Sequence, residues 1–197
     1  MIHIYGDSHA DRSFRNLKLP HKNYFMHSIT MFRIGRDNAI INFNNKIHDE
    51  NSIICISYGE VDCRCHIRRQ IDLGRDEDDV IRGLVSDYFK TLANNIKIYK
   101  NVIVVGVIPP RSQSKFERIH GRITHEFPFV GTDQDRVRYT QKVNRLLEEQ
   151  CTLQRYVYFN PYQHYADVDG TLKESMSDKN VHLGDNSFFV EKFMELL

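Results

Sequence analysis

The sequence has little that would direct it to a membrane, to nucleic acid or to a disulfide-stabilised exterior. No apolar run approaches the roughly 18 residues that cross a bilayer, and the first residues lack the layout of a signal peptide. Lys and Arg number 27 against 26 Asp and Glu, so the net charge of +1 creates no field favouring nucleic acid or acidic lipid. The 4 cysteines are too few for a dense disulfide framework. We therefore expect a cytoplasmic protein with reduced thiols and without membrane or nucleic-acid partners.

Motifs for nucleotide cofactors and metals are missing or weak. Neither Gly-x-Gly-x-x-Gly nor Gly-x-x-x-x-Gly-Lys-Ser/Thr occurs, which removes the usual sequence support for a dinucleotide or P-loop site. A Cys-x-Cys-His run at 63–66 lacks the second ligand pair of structural zinc sites. We expect no cofactor and no bound metal.

Length and composition predict one α/β domain spanning residues 1–197. Its 41% hydrophobic and 27% charged residues are close to globular averages. Short β-branched runs alternate with longer amphipathic segments, which is typical of βαβ units feeding a parallel sheet. Strands are predicted over 2–5, 24–29, 52–57, 102–108 and 155–159, and helices over about 8–17, 37–47, 80–96, 137–147 and 188–197. The predicted fold is a three-layer α/β/α sandwich with a central five-stranded parallel, flavodoxin-like sheet.

A long loop insertion is predicted over about 109–132, where two prolines end the fourth strand. Loops of this length in compact domains are commonly functional or mobile. Its basic residues, among them Arg111 and Lys115, are interpreted as a solvated face in preference to a binding rim.

Two distant stretches carry the residue types of nucleophilic catalysis. Gly6-Asp7-Ser8 lies between the first strand and a helix, which places Ser8 at the carboxyl end of a parallel strand, where ligands bind. The helix N–H groups would face an oxyanion formed there. Near the other end, His182 could take the proton from Ser8 while Asp178 orients the ring. Taken singly, each stretch is more typical of a turn or a solvated loop.

In order along nearly the whole chain, these residues resemble the SGNH, or GDSL-type, hydrolases, which act on esters and on acylated glycans or lipids. The first family block matches 4–9, which implies that Ser8 is the nucleophile and the first oxyanion-hole N–H. The second block, a lone glycine after the second strand, matches Gly35, whose N–H would be the next donor. The last block, Asp-x-x-His, matches Asp178 and His182.

The third family block, Gly-x-Asn-Asp, is matched by Gly59-Glu60-Val61-Asp62, and here the sequence departs from the family pattern. Valine has no donor where the family asparagine gives a side-chain N–H to the oxyanion. Losing one such donor typically costs about 3–4 kcal/mol of transition-state stabilisation. Either another group substitutes for the asparagine or the enzyme is slow.

Arginines near these blocks are candidates to replace the missing donor: Arg33, Arg36 and Arg64. An arginine would suit an anionic substrate better than a simple ester. We expect Asp62 and Arg64 to shape the surroundings of the nucleophile without reacting. The residues assigned to substrate binding or to support of the site are Asp7, Arg36, Gly59, Glu60, Asp62 and Arg64.

A second departure lies in the last block, where one extra residue separates Asp178 from His182. A loop can absorb this residue, but the change leaves Asp185 as an alternative partner for the imidazole.

The resemblance implies acyl transfer through a serine ester. With water as acceptor, the protein would be an esterase or deacylase acting on a small-molecule or glycan ester, and the polar loops favour a substrate such as an O-acetylated glycan. With a sugar hydroxyl as acceptor, it would be a glycan O-acyltransferase. Val61 keeps a third alternative, a binding protein of the same fold with weakened catalysis. The oligomeric state is not predicted.

Overall fold

A five-stranded parallel sheet forms the centre of the protein. The computed structural model describes residues 1–26, 29–38, 49–96, 99–123 and 127–197. The strands are β1 (Ile2–Gly6), β2 (His21–Phe25), β3 (Ile53–Ser57), β4 (Asn101–Val105) and β5 (Val157–Phe159). Their order is β2-β1-β3-β4-β5, and every paired neighbour is parallel. The predicted α/β class and parallel sheet are confirmed. Because the order reverses between β1 and β3, a crevice is expected at their carboxyl ends.

The helices follow the strands along the chain. They are α1 (Ser8–Phe14), α2 (Met31–Asp37), α3 (Ile67–Asp72), α4 (Glu77–Ile96), α5 (Gln113–His120), α6 (Asp133–Gln154), α7 (Tyr162–Tyr165) and α8 (Ser187–Met194). A π-helical segment, Asp62–His66, leads into α3, and a 3-10 turn, Glu174–Met176, precedes α8. Across the described ranges, no helix is both long and apolar enough to cross a membrane.

The two faces of the sheet bury two separate cores. On β3, Ile54 and Ile56 pack toward α2, α4 and α6, whereas Cys55 packs toward α1, α7 and α8. Successive side chains of a strand point to opposite faces, so an uninterrupted apolar run fills both layers. All three side chains are fully buried. The second core includes Phe14 of α1 in edge-to-face contact with Phe189 of α8, with ring centroids 4.8 Å apart.

The segment after β1 differs from its prediction. β2 ends at Phe25 and not at residue 29. The helix predicted over 37–47 falls mainly on residues outside the described part of the chain, and α2 precedes it. Thr30 caps α2 by accepting the Arg33 N–H at 3.2 Å, and Asn38 ends it in a left-handed conformation. Gly35 therefore lies within a helix and not in the predicted loop.

The predicted loop insertion contains a helix. α5 occupies its middle, and Phe116 of α5 is buried against Phe129, with ring centroids 5.3 Å apart. Arg111 is fully buried and pairs with Glu174 at 2.5 Å, so its interpretation as part of a solvated face is wrong. The charge of Arg111 can be read from the sequence, but its pairing cannot, because the partner Glu174 lies 63 residues further along the chain.

Candidate active site

A tight turn places Ser8 at the carboxyl end of β1. A β-carbon at Gly6 would lie 2.8 Å from the carbonyl oxygen of Ser57 on β3, so glycine permits the close approach of the turn. Asp7 caps α1, because its buried carboxylate accepts the His9 N–H at 2.9 Å. Ser8 is consequently the first residue of α1 and is partly exposed at the edge of the sheet.

The loop that carries Asp178 and His182 closes on itself. The Asp178 N–H donates to the His182 carbonyl at 3.1 Å, and the His182 N–H donates to the Asp178 carboxylate at 3.2 Å. An isolated antiparallel bridge joins Ser177 to Leu183. A β-carbon at Gly184 would lie 2.6 Å from the Ser177 carbonyl oxygen. These bonds accommodate the extra residue in the spacing and direct both side chains to one side of the loop.

Asn186 attaches this loop to α1. Its side-chain amide donates to the carbonyls of Arg12 and Ser13 at 3.2 and 3.0 Å, and its side-chain oxygen accepts from Asn16 at 2.7 Å. Asn186 is buried, so these bonds form away from water. The two distant stretches named in the sequence are thereby held together.

Ser8, His182 and Asp178 form a continuous hydrogen-bonded line. Ser8 Oγ lies 2.9 Å from His182 Nε2, and His182 Nδ1 lies 3.1 Å from Asp178 Oδ2. With the ring proton on Nδ1 donated to Asp178, the Ser8 hydroxyl donates to Nε2. Asp185 instead accepts from the N–H and hydroxyl of Ser187 at 2.9 and 2.7 Å, so it caps α8 and does not contact the imidazole. The arrangement can pass a proton from hydroxyl to imidazole.

A buried ionic network lies beside this line. His9 Nε2 lies 2.9 Å from a Glu60 carboxylate oxygen, and Arg64 Nε lies 3.0 Å from the other. Their side chains are 7%, 5% and 8% exposed, so the charges are nearly desolvated. The ring of His9 packs against that of His182, with centroids 4.6 Å apart. The contact between His9 and Glu60 was missed in the sequence because 51 residues separate them.

Electrostatics in this network shifts the pKa values of the two neighbouring histidines in opposite directions. Burial, together with the charge of His9, lowers the pKa of His182 to about 4 in spite of Asp178. Burial alone would also lower the pKa of His9, but the Glu60 carboxylate outweighs it and raises that pKa above its ordinary value. Burial opposes ionisation of Glu60, yet Arg64 and His9 lower its pKa to about 2. The two shifts therefore run in opposite directions, so His9 takes up a proton more readily than His182.

Asp62 organises the start of α2. Its fully buried carboxylate accepts the N–H groups of Met31 and Phe32 at 2.8 and 3.2 Å and lies 3.2 Å from His66 Nδ1. Gly59, at φ +124°, adopts a backbone conformation that side chains disfavour at the turn before this segment. In this geometry Asp62 and Gly59 shape the backbone around the site.

The assignment of Gly35 as an oxyanion-hole donor is wrong in this structure. A β-carbon there would lie 2.9 Å from the Asp87 side chain and 3.1 Å from the Tyr88 nitrogen, so Gly35 allows α2 to pack closely on α4. It is the fifth residue of α2, where an amide bonds to the carbonyl four residues earlier. Sequence order alone does not distinguish a loop glycine from one that spaces two helices.

The arginines suggested as replacements for the missing donor have other partners. Arg64 donates to the Phe127 carbonyl at 3.0 Å in addition to its contact with Glu60, which ties the 109–132 segment to the site. Arg36 pairs with Asp37 at 2.5 Å on the exposed side of α2, and Arg33 lies 3.9 Å from the same carboxylate. The side chain whose ring packs against the candidate base is His9, with ring centroids 4.6 Å apart.

Comparison with known proteins identifies solved structures of similar fold at low sequence identity. No protein-family model matches the chain, and no curated protein matches it. A GDSL-like lipase from Bacteroides thetaiotaomicron matches with a TM-score of 0.61 at 12% identity, covering 99% of this chain and 85% of that one. A catalytic mutant of an acetylxylan esterase from Geobacillus stearothermophilus gives 0.59 at 13% identity, covering 99% and 91%. An extracellular lipase from Streptomyces rimosus gives 0.54 at 9% identity, covering 100% and 99%. The chain shares the fold of these enzymes.

Proposed function

We propose that this protein is a serine-dependent esterase or deacylase that acts on a polar acylated substrate such as an O-acetylated glycan. The observation that carries the proposal is the line from Ser8 Oγ to His182 Nε2, 2.9 Å, and from His182 Nδ1 to Asp178, 3.1 Å. Its position at the carboxyl edge of the sheet and the fold shared with an acetylxylan esterase support it.

Each member of the line has a defined task in acyl transfer. Ser8 Oγ attacks the acyl carbonyl carbon as its proton passes to His182 Nε2, which gives a tetrahedral intermediate. Asp178 keeps the ring in the tautomer that leaves Nε2 free to accept. His182 then returns the proton to the leaving alcohol, and a water activated in the same way hydrolyses the acyl-serine.

His9 supplies positive charge where the sequence lacks the asparagine donor. The oxyanion forms next to Ser8, whose own N–H belongs to the first turn of α1 and has no partner within the helix. The adjacent imidazolium of His9 adds attraction for this negative charge in a largely desolvated site, where electrostatic interactions are strong. Glu60 holds that imidazolium in place, and Arg64 in turn holds Glu60.

Burial and the charge of His9 make His182 a weak base in the resting site, since the pKa of His182 is about 4. As the oxyanion forms, its negative charge offsets that of His9, and His182 becomes more basic while the proton moves. A slow enzyme that stays active in mild acid is the expected outcome.

Covalent labelling and hydrolysis test this proposal. We expect a fluorophosphonate probe to label Ser8, and Ser8→Ala or His182→Ala to abolish labelling. Hydrolysis of p-nitrophenyl acetate should fall by about 10³-fold or more in Ser8→Ala, because the covalent route is lost. Ser86→Ala, an exposed serine on α4, is the matched control and should retain the wild-type rate. Equal rates for wild type and Ser8→Ala, together with no labelling, would overturn the proposal and favour a binding protein.

The acceptor is tested by adding sugars to the reaction. Release of free acid alone supports an esterase. Formation of an acylated sugar at the expense of free acid would replace the hydrolase with an O-acyltransferase that uses the same three residues.

A further inference from the structure

A pocket of about 370 Å³ opens between α2, α3 and α4. Phe32 and Arg36 of α2 form one wall, and Leu84 of α4 forms the opposite one. Its volume falls in the range of roughly 300–1,000 Å³ that is typical of small-molecule sites. The pocket is lined by side chains other than Ser8, His182 and Asp178, so it is a separate binding space.

The pocket begins beside the candidate active site. Asp62 lines it and is two residues from Glu60, which contacts His9 next to Ser8. The Asp62 carboxylate also holds the N-terminus of α2 through the Phe32 N–H at 3.2 Å. The pocket therefore adjoins the carboxyl edge of the sheet, on the side of the helices α2 and α4.

The lining of the pocket carries an excess of positive charge. Its cationic side chains are Arg69, Arg75 and His66, together with Arg36, which is already paired with Asp37; the carboxylates are those of Asp62 and Asp87. Burial lowers the pKa of His66, but Asp62 outweighs burial and raises it to about 9. Arg75 donates to the neutral Gln70 side chain at 2.9 Å, and Arg69 is exposed on α3. These guanidinium groups are available to an anion from solution.

Part of the lining of the pocket is apolar. Phe32 is 43% exposed, and Ile67, Val80 and Leu84 add further apolar side chains. A ligand that fits has one face without hydrogen-bonding groups and an anionic substituent at its edge. A pyranose ring with a carboxylate or phosphate meets both requirements, since its C–H groups pack on an aromatic face.

A glycine in α4 keeps this space open. Gly83 lines the pocket within the 20-residue helix α4, and a β-carbon built there meets nothing within 4 Å among the described residues. Glycine inside a helix costs about 0.5–1 kcal/mol relative to alanine, and helix packing does not require it here. Gly35 on the facing helix is different, because a β-carbon there would lie 2.9 Å from Asp87. Gly83 leaves room for an occupant that the helices themselves do not supply.

We propose that this pocket binds an anionic sugar unit, carrying a carboxylate or a phosphate, of the acylated substrate. The inference rests on the proposed function and deepens it by naming the substrate class. Arg69 and Arg75 bind the anion, and Phe32 supports the sugar ring.

Binding of unacylated sugars tests the pocket without using catalysis. Glucuronate, glucose 6-phosphate and neutral methyl glucoside are titrated into the intact protein and followed by NMR chemical shifts at low and high salt. We expect saturable binding of at least one anionic sugar, weakened by salt, and binding of methyl glucoside at least about tenfold weaker. Binding of glucuronate would identify a carboxylate as the anionic group of the ligand, and binding of glucose 6-phosphate would identify a phosphate.

Variants locate the binding site. Gly83→Leu fills the space, and the double variant Arg69→Gln and Arg75→Gln removes charge; each should weaken binding about tenfold or more. Gly83→Ala and Arg82→Gln are matched controls on α4 and should stay within about twofold. Circular dichroism checks that each variant folds. If Gly83→Leu does not fold, the double variant by itself tests whether the pocket is the binding site.

The outcomes separate this inference from the proposed function. The pocket proposal is overturned if no anionic sugar binds saturably or if the neutral sugar binds equally well. It is also overturned if Arg82→Gln weakens binding as much as the double variant does. If anionic sugars bind as expected but Ser8 is neither labelled nor required for hydrolysis, the proposed function fails and the pocket stands. If hydrolysis requires Ser8 but no anionic sugar binds, the proposed function stands and the pocket proposal fails.

Discussion

The pH dependence of activity tests the charged network around the candidate base. His182 must be neutral to accept a proton, and its pKa is about 4 against an ordinary value of 6.5. At pH 5.5 a group with a pKa of 4 is about 97% neutral, whereas one with a pKa of 6.5 is only about 9% neutral. Activity is present above the folded pKa and lost below it. The acid limb of kcat/KM is therefore expected near pH 4.

His9→Gln isolates the contribution of the neighbouring charge. Gln can still donate to Glu60, but it carries no charge, so the pKa of His182 should rise toward 6.5 and the acid limb should move up. The plateau should also fall by about 10- to 100-fold, because positive charge near the oxyanion is lost. The groups that set this titration are Glu60, Arg64 and Asp178 around the two rings.

The measurement is kcat/KM for p-nitrophenyl acetate from pH 3.5 to 8, with each value corrected for spontaneous hydrolysis. His21→Gln is the matched control, since His21 begins β2 at the amino end of the sheet, opposite the end that carries Ser8, and its profile should follow the wild type. A wild-type limb near 6.5 would refute the role of burial and of His9 in lowering this pKa. An unchanged limb in His9→Gln would refute the role of His9 alone.

Four further substitutions test the geometry. Asp178→Asn should lower kcat by about 10³–10⁴-fold. Asp185→Asn should leave kcat within about twofold and stability nearly unchanged, because asparagine keeps the acceptor oxygen for Ser187; kinetics and urea unfolding compare the two. Gly6→Ala should destabilise by about 3 kcal/mol or more, because its β-carbon would meet Ala10 Cβ and the carbonyl oxygen of Ser57, and an unchanged unfolding midpoint would contradict this. Gly83→Ala should raise stability by about 0.5–1 kcal/mol, seen as a higher melting temperature, and a lower one would show that the space is not free.

The apolar runs and the turn after β1 were predictable because they depend on local chemistry. Residues 53–56 and 102–105 consist of β-branched and other apolar side chains that suit a strand covered on both faces. Ser8 follows the first such run, so its place at the edge of the sheet follows from strand direction alone. Asp178 and His182 are neighbours in sequence, and their own loop bonds bring them together.

Elements without a strong period were less predictable. α2 is seven residues long and capped by Thr30 and Asp62, and the latter lies 31 residues beyond Met31 in the chain. A short helix held by a distant cap leaves little trace in local composition. Similarly, α5 has one buried aromatic residue, Phe116, whose packing partner Phe129 lies 13 residues further along the chain.

The sequence by itself determined the class of fold and the order of the chemical groups, since both depend on the spacing of apolar and polar residues along one chain. Only the tertiary structure decided that His9, Glu60 and Arg64 form one ionic network against His182, that Gly35 spaces two helices, and that the arginines near α3 border a pocket. Each of these depends on contacts between segments distant in sequence. The energy of a charge is set by the burial and partners that folding provides, and local residue type does not encode them.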